Sequence, residues 1–525
     1  MKNTIRIGSL PVRSASMISS SIRVLVPLIA LVLDGVALAQ HSPATSQRSA
    51  NGVAVPKSWN DVGLSEWATP LAGVNLRPGN FTEAELDQVP VYELYRSYPA
   101  YYPGREPAGY WKWLQSRKPE LLIKRAALRT EDDWTQAGQR VFREMYFPPP
   151  EPQNKLIELV RSREAFERAR VHPYPDGTIP PRWVVTPSGI RIAPSVCQAC
   201  HSRVLADGTR VDGIPIVNDP GAVLARLRES LDITANSGDE DTARLRKQQL
   251  GQFGMPWLKD DIHERFTTMS LGDFENLEAS LVDVFTRDDG SPFFPVKVPD
   301  LIGLKDRKYI DHTATHRHRG IEDLMRYASH ITCCFSGGIG RERKFAVAEA
   351  LPGYRFSDEL LYALALYIYS LEPPRNPNPR SRTAVRGKGV FAREGCANCH
   401  TPPLYTNNKL TLAYGFKPPV DHPNRADIIE LSVGTDPGTA LRTRKGTGFY
   451  KVPSLKGVWY RGRYGHDGSV TTLEEWFNPA RLKSEYVPNG WKGYGVERRA
   501  VPGHEFGLRL PQDERAALVA FLKTL

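Results

Sequence analysis

Two stretches far apart in the chain carry one helical signature. In "DELLYALALYIYSL", Asp358 to Leu371, and "DERAALVAFLKTL", Asp513 to Leu525, an acidic start leads into apolar residues at helical spacing that finish in Tyr-Ile and Phe-Leu. A second pair precedes them. "GQRVFREMYF" from Gly138 and "GKGVFAREGCANCH" from Gly387 share the order G-x-x-V-F and read as opening helices. The chain is thus predicted to hold two units, each bracketed by an opening and a closing helix.

The first unit carries insertions. "WVVTPSGIRI" and "VLADGTRVDGIPI" read as short hairpins around Pro-Ser-Gly and Asp-Gly turns. The proline-rich "EPPRNPNPRSR", Glu372 to Arg382, separates the units. The expected organisation is a first unit at 131–372, a linker at 373–382 and a second unit at 383–525. Residues 40–130, with "YRSYPAYYPG" and "GYWKWL", read as an aromatic, proline-rich arm wrapped over the core.

The remaining apolar run, Val24 to Leu33, follows Lys2, Arg6, Arg13 and Arg23 and precedes Ala37-Leu38-Ala39. Asp34 stops it after ten residues, against the about 20 needed to span a bilayer. Residues 1–39 therefore read as a signal peptide cleaved near Ala39 rather than an uncleaved anchor. The mature protein is expected to be periplasmic or secreted, with no integral membrane segment. Its removal takes four basic and one acidic side chain and lowers the formal net charge from +11 to +8. That excess would steer an acidic electron donor; without a dense basic block in a recognisable module, nucleic acid is excluded as a partner.

Cysteine usage brings in the chemistry. Four of six cysteines fall into two C-x-x-C-H units, "CQACH" (Cys197, Cys200, His201) and "CANCH" (Cys396, Cys399, His400). Two thiols on one turn can add across the two haem vinyl groups, and the next residue presents an imidazole to the iron. Zinc chelation and a redox dithiol are the competing uses of C-x-x-C; two copies, each ending in His after an export signal, favour covalent haem. The fold class predicted is mostly α: two cytochrome c-like domains, each with one covalent haem c, with irregular and β-hairpin insertions in the first. The adjacent Cys333 and Cys334 read as small buried side chains or thiols rather than a strained bridge.

His201 and His400 are the expected near-side iron ligands. Every methionine lies upstream of Cys396, so a far-side methionine for the second haem would have to reach over from the first unit. Of His422, His466 and His504 downstream, His504 leads, nine residues before the closing helix, and His466 is the runner-up. For the first iron, an open site stands beside His312, His316 and His318, of which the first two have helical i,i+4 spacing. Trp257, the one tryptophan between the haem motifs, is a candidate electron relay, with core packing as the competing role. Arg442, Arg444 and Lys445 are candidate partners of haem propionates, with a solvated basic loop as the alternative.

"GFYKVPSLKGVWYRGRYGHDGSVTTLEEWF", Gly448 to Phe477, resembles the second domain of bacterial di-haem cytochrome c peroxidases through Pro453, Ser454, Leu455, His466, Asp467, Gly468, Ser469, Thr472, Leu473, Glu474 and Glu475. Within that superfamily, "IDHTATHRHRGIEDLMRYA", "EPPRNPNP" and "GTGFYKVPSLKGVWYRG" look most like the di-haem rubber oxygenases. The resemblance implies a reactive first haem and an electron-transferring second haem. O2 or hydrogen peroxide would be the oxidant, and a periplasmic electron donor or an apolar organic substrate the other partner; bound calcium is left open. The chain departs from the peroxidase pattern where that family places methionine opposite the second haem: His504 falls near that place, as in the oxygenase branch.

Overall fold

Thr130 and Asp133 form a reciprocal capping box that starts the helix Glu131–Glu144, and the hydroxyls of Ser357 and Ser381 cap the helices Asp358–Tyr369 and Arg382–Arg393. A fourth helix, Gln512–Leu522, ends the chain. In the computed structural model, which describes residues 53–67, 82–149, 153–168, 172–205, 207–216, 239–281, 284–286, 290–334, 354–444 and 446–525, these helices pack in two pairs. Glu131–Glu144 lies on Asp358–Tyr369, and Arg382–Arg393 lies on Gln512–Leu522.

One device closes both crossings. A Cβ on Gly138 would lie 1.9 Å from the carbonyl oxygen of Ala363, and one on Gly387 would lie 1.8 Å from that of Ala517. One turn further on, Tyr367 and Phe521 would meet the same added atoms. The glycine of G-x-x-V-F therefore lets two backbones touch, and its Val and Phe (Val141, Phe142, Val390, Phe391) are buried beside the contact.

Among the described residues helix is a minority, less than a mostly helical reading expects. Four small sheets lie among the described residues, and long turn-rich connections fill the rest. The strand Thr178–Thr186 pairs antiparallel with Gly189–Ala193, where "WVVTPSGIRI" predicts a hairpin, and Ser202–Val204 pairs with Arg210–Asp212 around the Asp-Gly turn. The aromatic arm also contributes a strand: Ser97–Tyr101 adds to the edge of Thr178–Thr186, with Ser97 opposite Val184. Behind that sheet, Leu114, Leu156, Phe166 and Trp183 form a separate apolar cluster. A three-stranded sheet of Leu410–Leu412, Ile428–Ile429 and Phe449–Lys451 in the last third was not foreseen.

The stretch 311–320 is turn-rich rather than helical, so His312 and His316 do not share a helix face. The proline-rich connection is irregular, and Asn376 ties it to the chain end by donating to the carbonyl of Lys523 at 2.9 Å. The signal peptide, Lys445 and the side chains of Cys333 and Cys334 lie outside the described residues. Among the described residues, no helix is long and apolar enough to cross a membrane.

Candidate functional site

Both C-x-x-C-H units form single turns. Cys197–His201 is a short helix and Cys396–Asn398 a 3-10 turn from which Cys399 and His400 continue. None of these four cysteines is in a disulfide. Burial pushes the Cys197 thiol up to about 12 and that of Cys396 up to about 11, whereas redox-active C-x-x-C pairs hold a depressed thiol.

The two histidines are held alike. His201 Nδ1 lies 3.1 Å from the carbonyl oxygen of Pro299, and His400 Nδ1 lies 3.1 Å from that of Pro453 and 3.2 Å from that of Tyr405. A carbonyl only accepts, so Nδ1 carries the proton and Nε2 keeps its lone pair, the arrangement of a metal-ligating imidazole. Burial depresses the His201 ring to about 4 and lowers His400 as well, keeping both neutral.

His400 opens into a cavity of about 280 Å³ that Cys396, Cys399 and His504 also line, with Phe391, Val458, Leu473 and Trp476 among its apolar walls. The rings of His400 and His504 are 6.1 Å apart, centre to centre. An imidazole nitrogen sits about 2 Å from a bound transition metal, so two rings sharing one iron stand roughly 6 Å apart. Burial holds the His504 ring at about 3, and its Nδ1 is a buried atom with no hydrogen-bond partner. Two thiols on one turn, a second imidazole opposite and an apolar wall fit a covalent haem.

The placement of His504 depends on a residue that sequence reasoning missed. His504 has a left-handed backbone (φ 50°), unusual for a residue with a side chain. Fully buried Arg481 holds it there, donating to the carbonyls of Trp476 (2.8 Å), Val501 (2.6 Å), Gly503 (2.9 Å) and His504 (2.9 Å). The His504 N–H donates to Val433 at 2.6 Å.

The other histidines have different surroundings. His466 lines the same cavity, but its ring lies 4.9 Å from that of Tyr450. His422 accepts from the Asn424 N–H at 3.1 Å and packs on Phe449. His312 lines the cavity with Nε2 3.1 Å from the carbonyl oxygen of Lys297. His316 packs against Tyr327 and His330. His318 uses both nitrogens, on the Arg307 carbonyl (2.7 Å) and the Tyr369 hydroxyl (2.5 Å). Met145, Met255, Met269 and Met325 are buried in the cores, and none lines the cavity.

Two sets of candidates lie away from this cavity. Arg442 donates to the Asp260 carbonyl at 3.3 Å, and Arg444 donates to the Gly251 carbonyl at 2.9 Å; neither lines the cavity. Lys297, Arg307, Lys451 and Arg461 line it instead. They come from segments that the fold brings together, so no local basic run marks them. Burial, with nearby guanidinium groups, lowers Lys297 and Lys451 to about 7, so an incoming carboxylate would find them poised to take a proton. Trp257 is half-buried beneath Arg444, whose guanidinium is 5.7 Å from its ring, and does not line the cavity.

Comparison with known proteins adds one sequence relative. Over 167 residues the chain is 29% identical to cytochrome-c peroxidase IdrP1 of Denitromonas iodatirespirans. The match covers 28% of this chain and spans 40% of the length of that relative. No family model matches. Among solved structures, the chain aligns at 16% identity and a TM-score of 0.27 with a hydrazine synthase of Kuenenia stuttgartiensis pressurised with xenon, over 55% of this chain and 89% of that one. The same identity and score relate it to a MauG-like protein associated with microbial copper homeostasis, over 55% of this chain and 90% of that one. At such scores the structural likenesses decide nothing about this fold.

Proposed function

We propose that the protein is an exported di-haem c-type cytochrome oxidoreductase of the cytochrome c peroxidase superfamily. In this reading Cys197, Cys200 and His201 hold a first haem that takes peroxide, and Cys396, Cys399, His400 and His504 hold a second that passes electrons to it. The observation that carries the reading is the opposition of His400 and His504 across a cavity lined by the Cys396 and Cys399 thiols. The cytochrome-c peroxidase relative supports peroxide as the oxidant.

Bound haem would supply one-electron chemistry and the activation of peroxide or O2. The chain's own work is positional. Pro299 and Pro453 fix the tautomers of the near-side histidines, Arg481 presents His504, and Lys297, Arg307, Lys451 and Arg461 offer cationic partners to carboxylates in the cavity.

His504 also favours a second reading. Two imidazoles give haem iron a lower potential than His/Met, which suits O2 chemistry on an unsaturated apolar substrate, the rubber oxygenase resemblance. Spectra of the purified protein with and without peroxide, O2 and CO separate the possibilities. Peroxide-dependent oxidation of a reduced cytochrome supports the first reading, and O2 uptake with carbonyl products from a polyisoprenoid supports the second. Two low-spin irons that ignore every ligand would leave a pure electron carrier and sink both.

A further inference from the structure

The two C-x-x-C-H units are 199 residues apart in sequence, yet a continuous polar path joins their histidines. His201 Nδ1 contacts the Pro299 carbonyl at 3.1 Å, and the next residue is Asp300. The buried Asp300 carboxylate receives Arg461 Nε at 3.0 Å. Arg461 reaches on through a second nitrogen to the Ser454 carbonyl at 2.5 Å. The residue before Ser454 is Pro453, whose carbonyl holds His400 Nδ1 at 3.1 Å.

The surroundings make Asp300 and Arg461 a rigid joint. Asp300 also accepts from the Ile302 N–H at 3.0 Å and from Arg307 at 3.2 Å, with the Tyr460 hydroxyl 3.4 Å away. Arg461 ends the short helix Val458–Arg461. Val458 lines the cavity, Trp459 packs with the Ile214 and Ile302 cluster, and the Tyr460 carbonyl accepts from Arg203, two residues after His201, at 2.9 Å. The side chains of Asp300 and Arg461 are only 3% and 12% exposed. Burying a pair this deeply is costly unless both ends are fully bonded, and simple adhesion between two halves is met at lower cost by apolar contacts.

We propose that Asp300 and Arg461 are positioning residues that couple the two iron sites, so that a change of charge at one iron alters the imidazole of the other. The carbonyl that accepts from the Nδ1 of a ligating histidine sets that ligand's orientation and basicity, and here the residue that follows each carbonyl, Asp300 after Pro299 and Ser454 after Pro453, is bonded to Arg461. The inference rests on the di-haem reading above.

The test uses the full-length holoprotein, its haem content measured by pyridine haemochrome, and the variants Arg461→Gln, Asp300→Asn, the double variant and the conservative Arg461→Lys. EPR is recorded fully oxidised and again after one-electron reduction with dithionite. In the wild type, the g-values of the iron that remains oxidised are expected to shift between the two states. Arg461→Gln and Asp300→Asn should each lose most of that shift, the double variant should lose no more than either, and Arg461→Lys should regain part of it. Melting temperatures are measured alongside, because a merely structural pair would lower them and leave the shift intact. A wild type without two haems rejects the functional reading itself. With two haems present, no wild-type shift, or an undiminished shift in both Arg461→Gln and Asp300→Asn, overturns the coupling. Should those two not fold, an undiminished shift in Arg461→Lys does the same.

Discussion

His400 and His504, 104 residues apart in sequence, face each other at 6.1 Å between ring centres. Each is held by backbone carbonyls or a backbone clamp, His400 through Pro453 and Tyr405 and His504 through the Arg481 fan. Replacing His504 by Ala should leave a vacant position opposite His400 and convert one low-spin haem to high-spin, visible in the optical spectrum and in EPR. Haem content should not change, because Cys396 and Cys399 are untouched. An unchanged spectrum would reject His504 as a ligand, and an equivalent change in His466→Ala alone would transfer the role.

The paired glycines give a prediction with a built-in control. Gly387→Ala places a methyl 1.8 Å from the Ala517 carbonyl oxygen, which only separation of the two helices can relieve. Overpacking of this kind costs about 1–3 kcal/mol, and more where the obstacle is backbone. Gly389, on the same helix, has nothing within 4 Å of an added Cβ, so Gly389→Ala should instead stabilise by about 0.5–1 kcal/mol. Thermal melts of the two variants should move in opposite directions, and a fall of similar size in both would show that the crossing is not the constraint.

That contrast also marks what could be read from sequence. Local features were legible: the opening and closing helices, the two hairpins and the turns of the two C-x-x-C-H segments, because each is set by periodicity, turn residues or cysteine spacing within a short window. The glycine of G-x-x-V-F was visible as a repeat, but its partners Ala363 and Ala517 lie more than 100 residues away. Distance hid the rest in the same way. Pro299 and Pro453 anchor histidines 98 and 53 residues away, and Arg481 acts on a loop about 20 residues downstream through carbonyls, which carry no sequence signal. The arm strand Ser97–Tyr101 was masked by Pro99, a residue that argues against a central strand and is tolerated at an edge. The one local hint of the strained His504 was its setting between Gly503 and Gly507.

Acid sensitivity should concentrate at Asp323. Burial raises its carboxyl, but Arg319 and Arg326 side chains and the Arg319 N–H outweigh that, and the group sits below the ordinary 3.8. Arg326 Nη2 donates at 2.7 Å and Arg319 Nε at 3.0 Å, with Arg326 also reaching the Ser58 carbonyl. A depressed carboxylate stabilises the fold fully above its unfolded pKa, and the contribution fades as pH falls below about 4. Asp323→Asn should therefore cost about 3 kcal/mol near pH 7, mainly by leaving Arg326 buried and unpaired. The gap in melting temperature between variant and wild type should narrow as pH falls below about 4. A gap independent of pH would mean that the carboxylate charge contributes nothing.

Asp261, His263 and Ser291 reproduce the bonding order of a hydrolase triad, with His263 Nδ1 2.6 Å from Asp261 and Nε2 2.7 Å from Ser291 Oγ. Access decides against hydrolysis. His263 and Ser291 are 0% exposed, the ring lies among Phe253, Phe266 and Phe293, and Ser291 Oγ also accepts from the Phe293 N–H at 3.1 Å. The three side chains instead close the polar accounts of an aromatic cluster, with Asp261 also accepting from the Met255 N–H at 2.5 Å and the His263 N–H at 3.1 Å. Ser291→Ala should orphan the buried Nε2 at a cost of about 1–3 kcal/mol, and Asp261→Ala should cost more because it strands three donors. For a unit of this size, about 2–4 °C of melting temperature per kcal/mol makes the order measurable. A fluorophosphonate probe should leave Ser291 unlabelled; covalent labelling abolished by Ser291→Ala would show that the cluster opens to solvent and that the triad geometry is more than structural.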